Sequence, residues 1–250
     1  MSSPFRDLDD NLIPENQILG YGRTGLVILR EETAVKSSDV DIEMNIKSLQ
    51  HEQAIYQRLG RCTGIVSYLG FSTTTTELAF MKNGDLRTYL ARNGSPNKSL
   101  QLLWFREVAR TLAHIHDRRV IVADIASRNF LLDSDLSIKF CDFTESTKMP
   151  LDTCMETVDD EGYSIQADIG QLGAVIYEVV VGERCGCDLF KDVPPTVGRA
   201  AWPRRENLPS TQSIWLGPVI EKCWTKGAFR NARDLDTSNV RYRTTKSPSN

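Results

Sequence analysis

No stretch of this chain approaches the ~18 consecutive apolar residues that a membrane-spanning helix needs, and its amino terminus, MSSPFRDLDD, has no apolar signal core. The expectation is an intracellular protein, cytoplasmic or nuclear, with no membrane partner. Charge of one sign is also missing. Lys and Arg number 30 against 33 Asp and Glu, a net charge of −3, which favours neither nucleic acid nor an anionic membrane surface as a partner. The 6 cysteines show no paired zinc-ligand spacing beyond Cys185-Gly-Cys187, and a reducing compartment leaves them free. No internal repeat is evident. What is present is a chain of 250 residues with 40% hydrophobic content, enough for one large core.

Residues 120 to 143 read VIVADIASRNFLLDSDLSIKFCDF and carry Asp124, Asn129 and Asp142 at spacings of five and thirteen. Leu131 and Leu132, then the Asp133-Ser134-Asp135 turn, then Ile138 and Phe140, predict a short hairpin that brings Asn129 and Asp142 alongside each other. A carboxylate near two oxygen ligands for a hard cation suits phosphoryl transfer, which asks a protein for positioning and charge neutralisation. The same residues also suit turn caps and a surface loop, the commonest employment of Asp and Asn.

Upstream, Gly20, Gly22 and Gly25 precede the apolar run Leu26 to Leu29 and, past a charged turn, Ala34-Val35-Lys36. A dinucleotide-binding glycine loop opens a helix; these glycines join two strands. Such a loop can present backbone N–H groups to phosphates, with Lys36 as a point charge nearby, or it can be an ordinary hairpin with a solvated lysine. Between residues 42 and 59, Ile42, Ile46, Leu49, Tyr56 and Leu59 recur at helical spacing, and Glu52 and Gln53 fall in the gap of the stripe. A carboxylate on that face either needs a buried partner, for which Lys36 is the candidate, or reaches from the edge to water.

Taken in order, these motifs resemble a eukaryotic-type protein kinase domain from about Ile18 to Arg230. The resemblance implies an α+β, two-lobed fold: a small N-lobe of antiparallel sheet plus one helix, and a mainly helical C-lobe. It places the domain at 15–234, with lobes 15–82 and 83–234; composition makes the acidic, polar stretch 1–14 a flexible tail and 235–250, rich in Ser, Thr and Asn with no apolar period, a polar, disordered one. The resemblance implies Asp124 as catalytic base, Lys36 held by Glu52, and Asn129 and Asp142 as Mg²⁺ ligands. ATP would be held by Gly20, Gly22, Gly25, Val27, Ala34, Lys36, Leu78, Phe80, Met81 and Leu131, with adenine at the hinge 80–84. His116 would pack and hydrogen-bond at a helix end, and Asp168 would open the buried central helix and bind catalytic-loop backbone. Cys223-Trp224 and Arg230 resemble the family's closing signature, with Glu156 standing where a glutamate would pair with that arginine. A protein substrate is implied. The sequence does not give the oligomeric state.

Three positions depart from the family pattern. Val122-Ala123 stands in place of the usual His-Arg before the base, and Thr144 in place of the glycine after Asp142-Phe143. Asp124-Ile-Ala126-Ser-Arg128-Asn129 resembles tyrosine-directed catalytic loops, a slight lean only. The departures leave a second reading open, a pseudokinase acting as a nucleotide-binding scaffold or regulatory module. Ala123 cannot pair with a phosphate, and the segment 142–156 spans only fifteen residues. Phosphorylation at Thr144, Ser146, Thr147 or Thr153 is therefore predicted not to act as an on-switch. Phosphatase treatment should leave activity unchanged, whereas loss on dephosphorylation and recovery on rephosphorylation would refute this.

Overall fold

Strand-forming runs separated by a glycine turn and a charged turn build the first antiparallel strands of the computed structural model, which describes residues 5, 12–22, 25–38, 43–194 and 198–241, with side chains to 236. After a 3-10 turn at Glu15–Gln17 come β1 (Ile18–Gly22), β2 (Gly25–Arg30) and β3 (Thr33–Ser37). Helix α1 (Glu43–Leu59) follows, then β4 (Tyr68–Phe71) and β5 (Thr75–Ala79). The five strands form one antiparallel sheet in the order β1-β2-β3-β5-β4. Register pairs Val27 with Lys36 and Ala34 with Leu78, so strand alternation puts all four on one face. Ile28 and Val35 pair on the other face and bury against Ile13.

Helix α1 packs against this sheet with a polar seam inside its apolar stripe. Glu52 is 1% exposed, and buried Gln53 donates from Nε2 to Ser72 O, Thr75 O and Thr76 Oγ1 at 3.0, 3.0 and 3.1 Å. The amide fixes α1 to the β4-β5 turn and leaves no buried donor unmet there. Ile42, the first residue of the predicted stripe, lies outside the described residues.

The second lobe begins at α2 (Leu86–Asn93), whose N-cap Asp85 accepts from Thr88 N at 2.9 Å. Then come α3 (Lys98–Asp117), β6 (Val120–Ile121), a 3-10 turn at Ser127–Asn129, the hairpin β7 (Phe130–Leu132) and β8 (Ile138–Phe140), and β9 (Thr147–Lys148), paired with β6. Helix α4 (Ile165–Val181) is buried through the middle of the lobe, with α5 (Gly217–Trp224) and α6 (Ala232–Arg241) packed outside it and on α3. Gly173 permits the close approach of α5: a Cβ there would stand 2.5 Å from Cys223 Cβ. The two-lobed α+β architecture is as the sequence predicts. Backbone bonds from Val66 N to Phe140 O and from Phe140 N to Gly64 O join the lobes, and Asn83 N to Leu132 O with Leu132 N to Gly84 O tie the end of the hinge to the β7-β8 hairpin.

Three expectations are corrected. The polar tail expected from residue 235 is helical to Arg241 in α6; Leu235 is fully buried and Asp236 receives Arg110 Nε at 3.0 Å. The Ser, Thr and Asn content of that stretch masked one apolar residue and one carboxylate on the face turned to α3. Residues 242–250 lie outside the described residues. At the other end, Ile13 is buried and its N–H reaches Phe5 O at 3.0 Å, so the segment 1–14 is not wholly a free tail; residues 1–4 and 6–11 lie outside the described residues. Finally, Glu156 and Arg230 are both exposed and no ion pair joins them among the described residues. Gln166 of α4 ties the loop before α6 instead, donating to Phe229 O at 3.0 Å and accepting from Gly227 N at 3.1 Å.

If α6 is an integral part of the core, Leu235→Ala should lower the unfolding free energy by about 2–5 kcal/mol in urea denaturation. No loss would return the segment to a solvated tail.

Candidate active site

Four segments far apart in sequence supply the polar side chains of this site. Lys36, on β3, places Nζ 2.7 Å from Glu52 Oε2, 3.1 Å from Asp142 Oδ1 and 3.2 Å from Thr144 Oγ1. Glu52 Oε1 accepts the Phe143 N–H at 3.1 Å, so one buried carboxylate holds the lysine with one oxygen and the backbone after β8 with the other. Phe143 itself is fully buried, edge-on to Tyr56 of α1 at 5.1 Å.

The electrostatics follow from burial and pairing. Burial pushes the Lys36 ammonium down, but the Glu52 and Asp142 charges outweigh it and hold the group above its usual 10.5. Burial pushes Glu52 up, and Lys36 opposes that rise only in part. For Asp142 burial also acts upward, yet the Lys36 charge and the Thr144 hydroxyl prevail and keep it below 3.8. A carboxylate depressed in this way adds stability above its unfolded value that is lost as pH falls through the folded one.

Below this group lies the loop after β6. Asn129 Nδ2 donates to Asp124 O at 2.9 Å and to Asp124 Oδ2 at 3.0 Å, which leaves Asn129 Oδ1 as its remaining acceptor. Arg128 Nη2 sits 2.6 and 2.5 Å from the two carboxylate oxygens of Asp124. Ala123 is held at φ 66, a strained value for a residue with a Cβ. Buried Asp168 secures it, accepting from Val122 N and Ala123 N at 2.9 Å each and from His116 Nε2 at 2.8 Å. The methyl of Ala123 packs with Ile121, Met155 and Ile165, so apolar contacts fill the place of the family's usual arginine. Asn129 and Asp142 flank the β7-β8 hairpin, with Cys141 N on Asn129 O at 2.9 Å.

The donor set suits a nucleotide and a hard cation. A Cβ at Gly20 or Gly22 would meet nothing within 4 Å, so space lies over those glycines, whereas one at Gly25 would strike Ser37 O at 2.0 Å. Ala34, Leu78 and Met81 are buried in one cluster, with Val27 and Leu131 packed against it; Phe80 is half-buried outside that cluster. No group of three or more His, Cys, Asp or Glu side chains among the described residues could hold a metal ion. Magnesium takes one or two protein oxygens and completes its shell with water and phosphate, and the side chains of Asn129 and Asp142 carry oxygens of that kind. Two residues bound into this site, Arg128 and Thr144, were not among those marked for it by sequence. Their signals were slight: a cation four residues after Asp124 and a hydroxyl two after Asp142.

A profile of the family described as protein tyrosine and serine/threonine kinase matches residues 18–232. The chain belongs to that family. Among curated relatives, it is 26% identical over 239 residues to the eye isozyme of protein kinase C from Drosophila melanogaster, covering 86% of this chain and 33% of the relative. It is 28% identical over 190 residues to the mitogen-activated protein kinase kinase kinase dlk-1 of Caenorhabditis elegans, covering 68% and 20%. It is 30% identical over 168 residues to the tyrosine-protein kinase Srms of Mus musculus, covering 60% and 32%. The chain thus spans about a third or less of the length of these relatives. No helix among the described residues of this kinase-family chain is long and apolar enough to cross a membrane.

Removing one partner of a buried pair leaves an uncompensated charge, at a cost of about 3–5 kcal/mol. Lys36→Met should lose stability on that scale in urea denaturation at neutral pH, and Glu52→Gln added to it should restore part of the loss. A coupling free energy of less than about 0.5 kcal/mol in the double-mutant cycle would show that the pair does not hold β3 to α1.

Proposed function

We propose that the chain is an ATP- and magnesium-dependent protein kinase that transfers the γ-phosphoryl group to a protein hydroxyl. One observation carries the reading: Lys36 holds Glu52 and Asp142 in one set of contacts, Asn129 holds Asp124 in a second, and the backbone bond from Cys141 N to Asn129 O at 2.9 Å sets the two side by side. ATP, when bound with Mg²⁺, supplies the phosphoryl group and the charge neutralisation around it. Lys36, kept charged by Glu52 and Asp142, donates to phosphate oxygens, beneath the backbone N–H groups of the loop bearing Gly20, Gly22 and Gly25. Asn129 Oδ1 and Asp142 Oδ2 are the oxygens free for the cation. Ala34, Leu78, Met81, Val27 and Leu131 enclose the base, with Phe80 at the hinge. Asp124 accepts the hydroxyl proton, oriented by Arg128 and Asn129; base catalysis is a modest part of this chemistry.

The Asp124-Ile-Ala126-Ser-Arg128-Asn129 loop gives the specificity a lean towards tyrosine, although kinases named for either hydroxyl class are among the relatives. Six free cysteines accord with an intracellular, reducing setting. A second reading, a nucleotide-binding scaffold, is favoured by one feature: both oxygens of Asp124 and Oδ1 of Asp142 already receive protein donors.

The test is phosphate transfer from labelled ATP to generic Tyr- and Ser-containing proteins. Asp124→Asn should lower the rate by about 10²–10⁴-fold, and Lys36→Met should abolish detectable transfer. Equal signal from wild type and both variants would sink the enzyme reading. Absent transfer with a magnesium-dependent thermal stabilisation by ATP, about 2.7 kcal/mol at a hundred times Kd, would select the scaffold.

A further inference from the structure

Beside Asp124, and away from the glycine loop, a cavity of about 120 Å³ lies between the loop 124–128, α2 and the end of α4. Its lining carries three guanidinium groups, Arg87, Arg128 and Arg184, against two carboxylates, Asp124 and Glu178. Both carboxylates are engaged already. Asp124 receives Arg128, and Glu178 Oε1 accepts the Ser127 hydroxyl at 2.9 Å. Arg87 makes only a long contact, Nε to Ser127 Oγ at 3.5 Å, and neither Arg87 nor exposed Arg184 forms an ion pair among the described residues. Burial, then the like charges of Arg184 and Arg128, lower Arg87 below the usual arginine range, outweighing Glu178 and Asp85. Surplus positive potential therefore collects at one wall of a cavity that shares Asp124 with the candidate active site.

We propose that this cavity binds an acidic side chain, Asp or Glu, of a polypeptide seated against Asp124. The inference rests on the kinase reading for its consequence, that the substrates are segments with acidic residues flanking the acceptor hydroxyl. Because Asp124 belongs to both sites and an extended chain advances about 3.3 Å per residue, the acidic residue stands within a few positions of the acceptor. Guanidinium forks recognise carboxylates by paired N–H donors, which an ammonium cannot reproduce. Arg87 and Arg184 face the cavity from α2 and from the turn after α4, so they are selectivity groups, and Asp124 keeps its own partners.

The experiment uses one labelled peptide framework carrying Glu, Ala or Lys on both sides of a central acceptor, with non-acceptor versions in which Tyr is Phe or Ser is Ala. Fluorescence anisotropy on the non-acceptor peptides reads binding without turnover, and phosphate transfer is measured in parallel. Wild type should bind the Glu peptide at least tenfold more tightly than the Lys peptide, with the advantage shrinking as salt rises. Arg184→Glu, and Arg87→Glu with Arg184→Glu, should remove or invert that order, while Arg184→Lys, which keeps the charge without the paired donors, should give a preference between those of wild type and Arg184→Glu; thermal melts confirm that each variant is folded. Equal affinity for Glu and Lys peptides in wild type would overturn the proposal, as would an undiminished preference in the folded charge-reversed double variant. Acidic preference without transfer supports the cavity and sinks the kinase reading. Transfer without acidic preference sinks the cavity alone.

Discussion

A buried ion pair cannot tolerate the loss of either member, and in this chain that constraint joins three elements at once. Lys36 comes from β3 and Glu52 from α1, and the second oxygen of Glu52 is taken by the backbone of Phe143 after β8. Moving any of the three leaves a charge or a donor unmet in the interior. Such a pair adds little net stability, since apolar replacement of both partners is often neutral or better. Its effect here is positional: α1 is docked at one rotation, the Phe143 ring is driven against Tyr56, and Asp142 is delivered within 3.1 Å of the same ammonium. Gln53 reinforces the docking from the next position along the helix through three acceptors of the β4-β5 turn.

The lower half of the site depends on a second buried carboxylate, used differently. Asp168 at the start of α4 accepts from two consecutive backbone N–H groups and from His116. Those bonds hold Ala123 in a left-handed conformation and so aim the following Asp124 away from the core. Gln171, one turn further along α4, repeats the device by accepting from Ile125 N and donating to Ala123 O. The loop is fixed from beneath by the central helix. The segment beyond it is held by backbone contacts, Met149 N on Arg119 O and Ser146 Oγ on Val122 O, together with the apolar cluster around Ala123. No phosphate-binding arginine is needed for that arrangement.

Much of this was legible in the sequence wherever the signal was local and periodic. The gap in the α1 stripe marked Glu52 and Gln53 as inward-facing because a helix repeats its faces every three to four residues. The β7-β8 hairpin was legible because two apolar runs flank an Asp-Ser-Asp turn. What escaped has different physics. Helix α6 is short, polar in composition and held by Leu235 and by Asp236 bridging to α3, so its stability is tertiary. The surplus of positive charge beside Asp124 draws on Arg87, Arg128 and Arg184, residues with no sequence relation to one another, and it exists only once α2, the catalytic loop and the end of α4 are packed together.

The departures at Val122, Ala123 and Thr144 are each accommodated by contacts of a different kind. Val122 and Ala123 replace polar side chains with burial, and the backbone they leave behind is satisfied by Asp168. Thr144 goes the other way. Where a glycine would offer only backbone, its hydroxyl donates to Asp142 Oδ1 at 2.7 Å and stands 3.2 Å from Lys36 Nζ, closing a triangle of charge and hydrogen bonds. The triangle is built on Oδ1, the oxygen of Asp142 that Lys36 already shares. A β-branched residue there also limits backbone freedom just after Asp142, which itself sits at φ 59. Thr144 thus fixes the orientation of the Asp142 carboxylate relative to the Lys36 ammonium.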